Sequence, residues 1–424
     1  MSIFSLPPIH LESLLTLQPI FIEKNDSNSQ TFISSSLDNY LRNLKSQIES
    51  HPTQWDLYKK YTNPYENIHS TCSNNGNISS PVCPLKPLSR SFYKMVEILH
   101  SFNIIEKLGD NKITSFHLAE GPGGFIEALA SLRKNPQDTY VGMTLINSSP
   151  TVPGWKKTRN FLEKNPNVKL EYGKDGRGDI MNVNNLVECA RKYGSSIDII
   201  TADGGFDFSV DFNSQETLVQ GLVACQVAFA SVLQKKNGWF ILKVFDLFSQ
   251  ASIDILYILS SLYESVYIIK PNTSRYANSE RYIVCQGFKL EDGRQWAFQW
   301  VPHFDKFSTM TLVRLLNIPI PIHFINKIEE SNMILGSQQI ENISLTLNII
   351  KNPRVEKIET LRRNNIQKCI QWCQKHNLPF NKDIRQMNIF LSAKTKITDI
   401  SSNLLEDDNI VYDKEEELYE IEDF

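Results

Sequence analysis

The sequence predicts an α/β protein built on a doubly wound, mostly parallel sheet of seven strands whose last strand runs antiparallel. Three observations carry that expectation. Between residues 88 and 290, short apolar runs alternate with helical stretches, the pattern of strands joined by crossover helices. A glycine-rich turn follows the first strand and opens a helix, in FHLAEGPGGFIEALA (116–130). The last two strand candidates are separated only by residues 271–280, too few for a crossover helix, so they form an antiparallel hairpin.

Taken in order, residues 1–87 read as a mixed, partly helical N-terminal extension. Its end, TCSNNGNISSPVCPLKPL (71–88), is rich in Ser, Asn, Gly and Pro and reads as a loop. The strand candidates are ITSFHLA (113–119), TYVGMTL (139–145), VKLEY (168–172), IDIITA (197–202), WFILKVF (239–245), SVYIIK (265–270) and RYIVCQGF (281–288). Such sheets bind ligands beyond the carboxyl ends of their strands. Residues 291–403 read as a mainly helical unit. Its clearest helix is VEKIETLRRNNIQKCIQWCQKHN (355–377), with Ile358, Leu361, Ile366, Cys369, Ile370 and Cys373 at helical spacing and Arg362, Arg363, Lys368 and Lys375 off that stripe. Residues 404–424 form an acidic tail.

Composition narrows the class. No run approaches the roughly 18 apolar residues expected of a membrane helix, and the N-terminus lacks a basic region ahead of an apolar run, so neither a membrane span nor a signal peptide is expected. Seven irregularly spaced cysteines argue for a reducing, cytoplasmic compartment rather than a disulfide framework. Cys369, Cys373 and His376 leave a metal site open beside the reading as a buried helix face. Net charge is −3, but the tail holds ten acids and one lysine, leaving a body of net charge +6. That balance suits a polyanion.

Gly121, Gly123 and Gly124 allow close backbone approach to a ligand, and the helix that follows offers N–H groups to an anion. The pattern is not G-x-G-x-x-G, and no acid ends the second strand at GMTL (142–145), which counts against a nicotinamide dinucleotide. Further along, TADGGFDF (201–208) ends the fourth strand with Asp203, and GWFILKVFDLF (238–248) carries Lys243 in an apolar strand. Glu280 opens the last strand, and SRSFYKMVEIL (89–99) places Lys94 on a helix before the glycine turn. A lysine in a buried strand is costly unless paired. Lys243 is either a strand-end lysine with its ammonium in water or a lysine held near Asp203 and Glu280 at the ligand-binding edge.

The strings SR…KM, GPGGF, GMTL, ADGGF, K-x-FDLF and TSR-x-ANSERY occur here in one order. Together they resemble the motifs of the FtsJ-like (RrmJ-type) ribose 2′-O-methyltransferases, especially the cap-specific mRNA branch of eukaryotes and large DNA viruses. KKYTNPYENIH (59–69) is similar to a segment of the viral members. The resemblance covers residues 88–290. It implies a class I methyltransferase (Rossmann-like) fold with N-terminal and C-terminal mainly helical additions, S-adenosyl-L-methionine as cofactor, capped mRNA as substrate and a capping-complex protein as partner. It implies a Lys-Asp-Lys-Glu tetrad on Lys94, Asp203, Lys243 and Glu280, with Lys243 as the base for a ribose hydroxyl and no metal. Cofactor contacts fall on Gly121, Pro122, Gly123, Gly124, Phe125 and Asp203. Asp179 in GRGDI (176–180) either meets the adenine amino group or caps a helix. RNA contacts fall on Arg90, Asn213 and Arg275, with Tyr61, Tyr65, Trp155 and Phe206 as aromatic candidates for a cap guanine. His117 stands where an aspartate is common in the family.

Two other readings stay open beside this one: a methyltransferase for ribosomal or transfer RNA, and a non-catalytic RNA-binding or capping-complex subunit that retains the fold. A guanine-N7 methyltransferase, which lacks the tetrad, is disfavoured.

Overall fold

A computed structural model of the chain describes residues 1–10, 16–23, 31–70, 72–74, 77–147, 152, 154–205 and 213–381. The acidic tail and Phe206 lie outside the described residues. The central sheet has eight strands in the order Ser2–Ser5, Tyr263–Lys270, Arg281–Phe288, Gln234–Val244, Ile197–Ala202, Thr114–Leu118, Thr139–Met143, Val168–Leu170. All seven expected strands are present. Arg281–Phe288 runs antiparallel to both its neighbours, Tyr263–Lys270 and Gln234–Val244. The sequence reading missed the eighth strand, the edge strand Ser2–Ser5, which pairs antiparallel with Tyr263–Lys270. Four residues at a chain end carry too short an alternation to be read as a strand.

Strand alternation sorts the side chains onto two faces. Ile200, Phe240 and Leu242 join the core formed with helices Val183–Tyr193, Gln215–Leu233 and Gln250–Leu262. Ile199, Trp239, Ile241, Tyr282 and Val284 join the core formed with helices Ser91–Ser101, Gly124–Arg133 and Val355–Lys375. Lys243 follows Ile241 by two residues, so it faces the side on which Lys94 lies.

One helix departs from expectation. Gln215–Leu233 is long and apolar enough to cross a membrane by length and composition, although no such stretch was expected. Of its most apolar window, 89% is buried, because the helix is packed on both sides. The sheet covers one side, and Trp296, Trp300, Phe304 and Phe307 belong to the same core.

The two additions pack on each other beside the sheet. Strand Met310–Arg314 pairs antiparallel with Ile20–Glu23, so the C-terminal part is not purely helical. The long helix Ile322–Lys351 lies against helices Ser35–Ser46 and Pro52–Thr62. There Asn342 donates to the Thr62 carbonyl at 2.9 Å, and the Thr62 and Thr346 hydroxyls meet at 2.7 Å. The expected helix spans Val355–Lys375 and buries Ile358, Ile366, Cys369, Ile370 and Cys373 as its inner face. His376 packs at a tilt against Trp372, ring centroids 4.5 Å apart, and stacks on His100, Nδ1 to Nδ1 at 3.1 Å. Among the described residues no group of three or more His, Cys, Asp or Glu is arranged to hold a metal.

Candidate active site

Strand register assembles the charged cluster. Ala202 pairs with Leu242 across parallel strands, so one step further Asp203 comes beside Lys243. Across the other edge of the same strand, Tyr282 is the direct partner of Lys243. Glu280 precedes Tyr282 by two residues, which puts both on one face. Helix Ser91–Ser101 lies on that face and brings Lys94 in from above.

Two ion pairs result. The Lys94 ammonium lies 2.7 Å from Glu280 Oε1 and donates to Oε2 at 2.8 Å. Lys243 donates to the Asp203 carbonyl at 2.6 Å and lies 3.2 Å from Asp203 Oδ1. The Tyr282 hydroxyl donates to the same Oδ1 at 2.9 Å. Lys94 and Glu280 are 7% and 8% exposed, so charge pairing here acts with little screening.

Burial disfavours each charge and the opposing charges restore it. At Glu280 burial pushes up, yet Lys94, Lys243 and Lys270 hold the carboxyl far below the usual range. At Lys243 burial pulls down, but Asp203 and Glu280 outweigh it and hold the ammonium above the ordinary lysine value. The resting site therefore stores its proton on Lys243. Lys270 behaves oppositely. It is buried, it donates to the carbonyls of Asn278 at 2.5 Å and Glu280 at 2.8 Å, and burial lowers it to about 7.

The glycine turn sits beside this cluster. Gly123 has φ +107°, a conformation that favours glycine. A side chain on Gly121 would drive its Cβ to 2.6 Å from the Gly154 carbonyl oxygen. Glu120 closes the turn by accepting from the Phe125 backbone N–H at 2.7 Å through Oε1. Among the described residues its Oε2 is buried without a hydrogen-bond partner, and burial, with Asp203 adding to it, pushes the carboxyl well above its ordinary value.

A cavity of about 670 Å³ opens onto the cluster, with Lys243 and Glu280 in its floor. Arg90, Gln215, Trp55 and Asn342 help to line it, so its walls come from the core and from both additions.

The other sequence-predicted residues fall as follows. Arg275 lines the cavity, but its fork is engaged by Glu66 at 2.9 and 2.6 Å, so it is an ion-paired wall residue rather than a free phosphate contact. Arg90 is exposed at the cavity wall. Asn213 is tied to the N-terminal helix: its amide donates to Ser46 Oγ at 3.3 Å, and its carbonyl accepts from Arg42 at 3.2 Å. Asp179 Oδ1 accepts from the Met181 N–H at 2.9 Å, whereas the cap of helix Val183–Tyr193 is Asn182. The ring of Trp155 lies against Gly123 and Gly142 in the turn region, and Tyr61 and Tyr65 are half-buried beside the C-terminal helix. His117 is fully buried, bridges Ser115 Oγ at 2.8 Å and Thr201 Oγ1 at 2.7 Å, and is lowered to about 3 by burial. It is a neutral tie inside the sheet. Sequence reasoning passed over Glu120, Lys270 and Tyr282. Their signals were a carboxylate inside the glycine turn, a lysine ending an apolar strand, and a residue two places beyond Glu280 in the strand period.

The sheet order with its antiparallel strand and the glycine turn are those of the class I methyltransferase fold, with the charged cluster at its carboxyl edge. Residues 87–288 match the family described as FtsJ-like methyltransferase. Over 386 residues the chain is 27% identical to the "Cap-specific mRNA (nucleoside-2'-O-)-methyltransferase 2" of Mus musculus, covering 85% of this chain and 48% of the relative. It is 28% identical to the corresponding methyltransferase 1 of Trypanosoma brucei brucei, over 64% of this chain and 76% of that protein. The human methyltransferase 1 is 36% identical over 42% of this chain and 22% of its own length. The chain thus spans about half the length of the mouse relative.

Proposed function

We propose that this chain is an S-adenosyl-L-methionine-dependent RNA ribose 2′-O-methyltransferase that modifies the first transcribed nucleotide of capped mRNA. The observation that carries this reading is the pairing of Lys94 with Glu280 and of Lys243 with Asp203 at the floor of the cavity. A ribose hydroxyl is a weak nucleophile and must lose its proton as it attacks. Of the two lysines only Lys243 lines the cavity, so it is the amine that meets the hydroxyl.

The residues at the turn fit the cofactor. Glu120 offers a buried, unpartnered carboxyl oxygen to an amino group, Asp179 keeps one oxygen beyond its bond to Met181 for the adenine amine, and the Gly121–Gly124 backbone approaches without side chains. Pro122, Phe125 and Asp203 complete the contact set. When bound, the cofactor supplies an electrophilic methyl on a sulfonium, whose positive charge also favours the neutral form of a neighbouring amine. Lys243 then takes the hydroxyl proton, Asp203 and Tyr282 fix its position, and Lys94 keeps Glu280 ionised. General-base assistance of this kind contributes about 10²–10⁴-fold.

Arg90 is the exposed cation beside the floor and suits an RNA phosphate. The relatives named above act on capped mRNA by their names, and the mRNA cap is the substrate we assign here, with a cytoplasmic location and a capping-complex partner. The test is incubation with labelled cofactor and either N7-methylated capped RNA or the uncapped transcript. Label is expected in the first nucleotide of the capped RNA. Transfer to uncapped RNA alone would remove the cap assignment. Cofactor binding without transfer to any RNA would favour a non-catalytic subunit.

A further inference from the structure

We propose that Lys45, supplied by the N-terminal addition, is a positioning residue that fixes Lys243 and Glu280 relative to one another; the proposal rests on the transferase reading above. Lys45 lies on helix Ser35–Ser46, outside the FtsJ-like segment 87–288. It is 5% exposed. Its ammonium donates to Asp246 Oδ2 at 2.9 Å and to Ser279 Oγ at 2.9 Å. Asp246 stands three residues beyond Lys243, just past the end of strand Gln234–Val244. Ser279 is the residue before Glu280. One side chain therefore bridges the two segments that present the cavity-lining members of the tetrad.

Those segments need such a bridge. Residues 271–280 lie outside any strand, so no ladder of hydrogen bonds sets the height of Glu280. Its neighbours are held one by one instead. Lys270 takes the carbonyls of Asn278 and Glu280, Gln339 of the long C-terminal helix takes the Ala277 carbonyl at 2.9 Å, and Lys45 takes Ser279. Asp246 is fixed in turn, since Arg281 lies 3.8 Å from its Oδ1. Arg281 donates to Asn332 at 2.5 Å, and Asn332 donates to the Leu247 carbonyl at 2.8 Å. Lys45 borders the same cavity, but at 5% exposure its ammonium is committed to Asp246 and Ser279. Its role is to hold geometry, and a displacement of about 1 Å at a transfer site can cost about 10²-fold in rate.

The experiment uses the full chain with Lys45→Met and Ser279→Ala, and Lys60→Met as an exposed control on the neighbouring helix. Single-turnover transfer to N7-methylated capped RNA, calorimetric affinity for S-adenosyl-L-methionine, and hydrogen exchange across residues 271–282 are measured. For Lys45→Met the expected result is a fall in kcat of about 10²-fold, with KM and cofactor affinity unchanged and exchange in 271–282 faster by about tenfold. Ser279→Ala, which leaves the Lys45–Asp246 pair intact, is expected to lose about tenfold in kcat and decides the matter if Lys45→Met does not fold. Lys60→Met should match the wild type. Wild-type kcat and exchange in a folded Lys45→Met protein would overturn the proposal, as would a loss of kcat matched by an equal loss of cofactor affinity. If the wild-type chain methylates no RNA, the transferase reading fails separately, and the exchange comparison alone then supports or overturns the bracing of Glu280 by Lys45.

Discussion

Tyr282 stands directly opposite Lys243 on the neighbouring antiparallel strand, and both reach the same oxygen of Asp203. The tyrosine hydroxyl at 2.9 Å and the ammonium at 3.2 Å thus share one carboxylate. Burial and the charge of Asp203 keep the phenol protonated well above its ordinary range, so it serves as a fixed donor. Tyr282→Phe is expected to leave cofactor affinity intact and lower kcat by about three- to tenfold, as the loss of one charge-assisted hydrogen bond implies. An unchanged single-turnover rate would show that Asp203 is held well enough without it.

Lys243 holds its proton in the resting site, because Asp203 and Glu280 outweigh burial. The reactive neutral amine therefore grows with pH. The single-turnover rate is expected to rise about tenfold per unit from about pH 6.5 to 8.5, and Lys243→Ala should abolish transfer while still binding cofactor. A flat profile over that range would exclude Lys243 as the base.

Burial, with the charge of Asp203 adding to it, raises the Glu120 carboxyl well above its ordinary value, against the lowering effect of Lys243 and Lys94. An incoming ammonium lowers it again. Cofactor binding is expected to drive the Glu120 carboxyl towards its ionised form and release up to about one proton, read from calorimetry in buffers of different ionisation enthalpy. Glu120→Gln should bind more weakly and release none. Equal proton release in the wild type and in Glu120→Gln would assign the proton to another group.

Three histidines make the fold acid-sensitive. Burial lowers His69 and His376 to about 4 and His117 to about 3. Each is depressed below its unfolded value, so the unfolded chain binds more protons, and stability falls as pH drops from about 6.5 towards 4. Shifts of this size correspond to up to about 3 to 5 kcal/mol per group. Tm is expected to drop across that window, and His376→Asn should flatten part of the slope. A Tm independent of pH between 6.5 and 4 contradicts this account.

The N-terminal extension is expected to be indispensable for stability. Glu66 is 2% exposed and takes the fork of Arg275. That pairing outweighs burial and holds its carboxyl at about 2. Glu66→Gln leaves a largely buried guanidinium without its counter-charge and should cost about 3 kcal/mol. Denaturant unfolding measures it, and Arg275→Gln in the same chain should recover part of the loss.

The sequence by itself determined seven of the eight strands of the sheet, the glycine turn and the four charged residues. All are written in local signals: apolar runs of strand length, glycines at one turn, and ionisable residues where apolar ones were due. It could not decide what those charges touch. Arg275 resembles a free cation in sequence, and its partner Glu66 lies 209 positions away. Lys45 carries no motif, yet folding carries it to Asp246 and Ser279, 201 and 234 positions along the chain. The sequence reading did not single out Gln215–Leu233 as apolar enough to span a membrane, and packing buries 89% of its most apolar window in the core. The protonation of Lys243, Lys270 and Glu120 depends on the balance between burial and neighbouring charge. That balance is set by distances between strands and helices that no linear pattern records, and it is the tertiary structure that decided it.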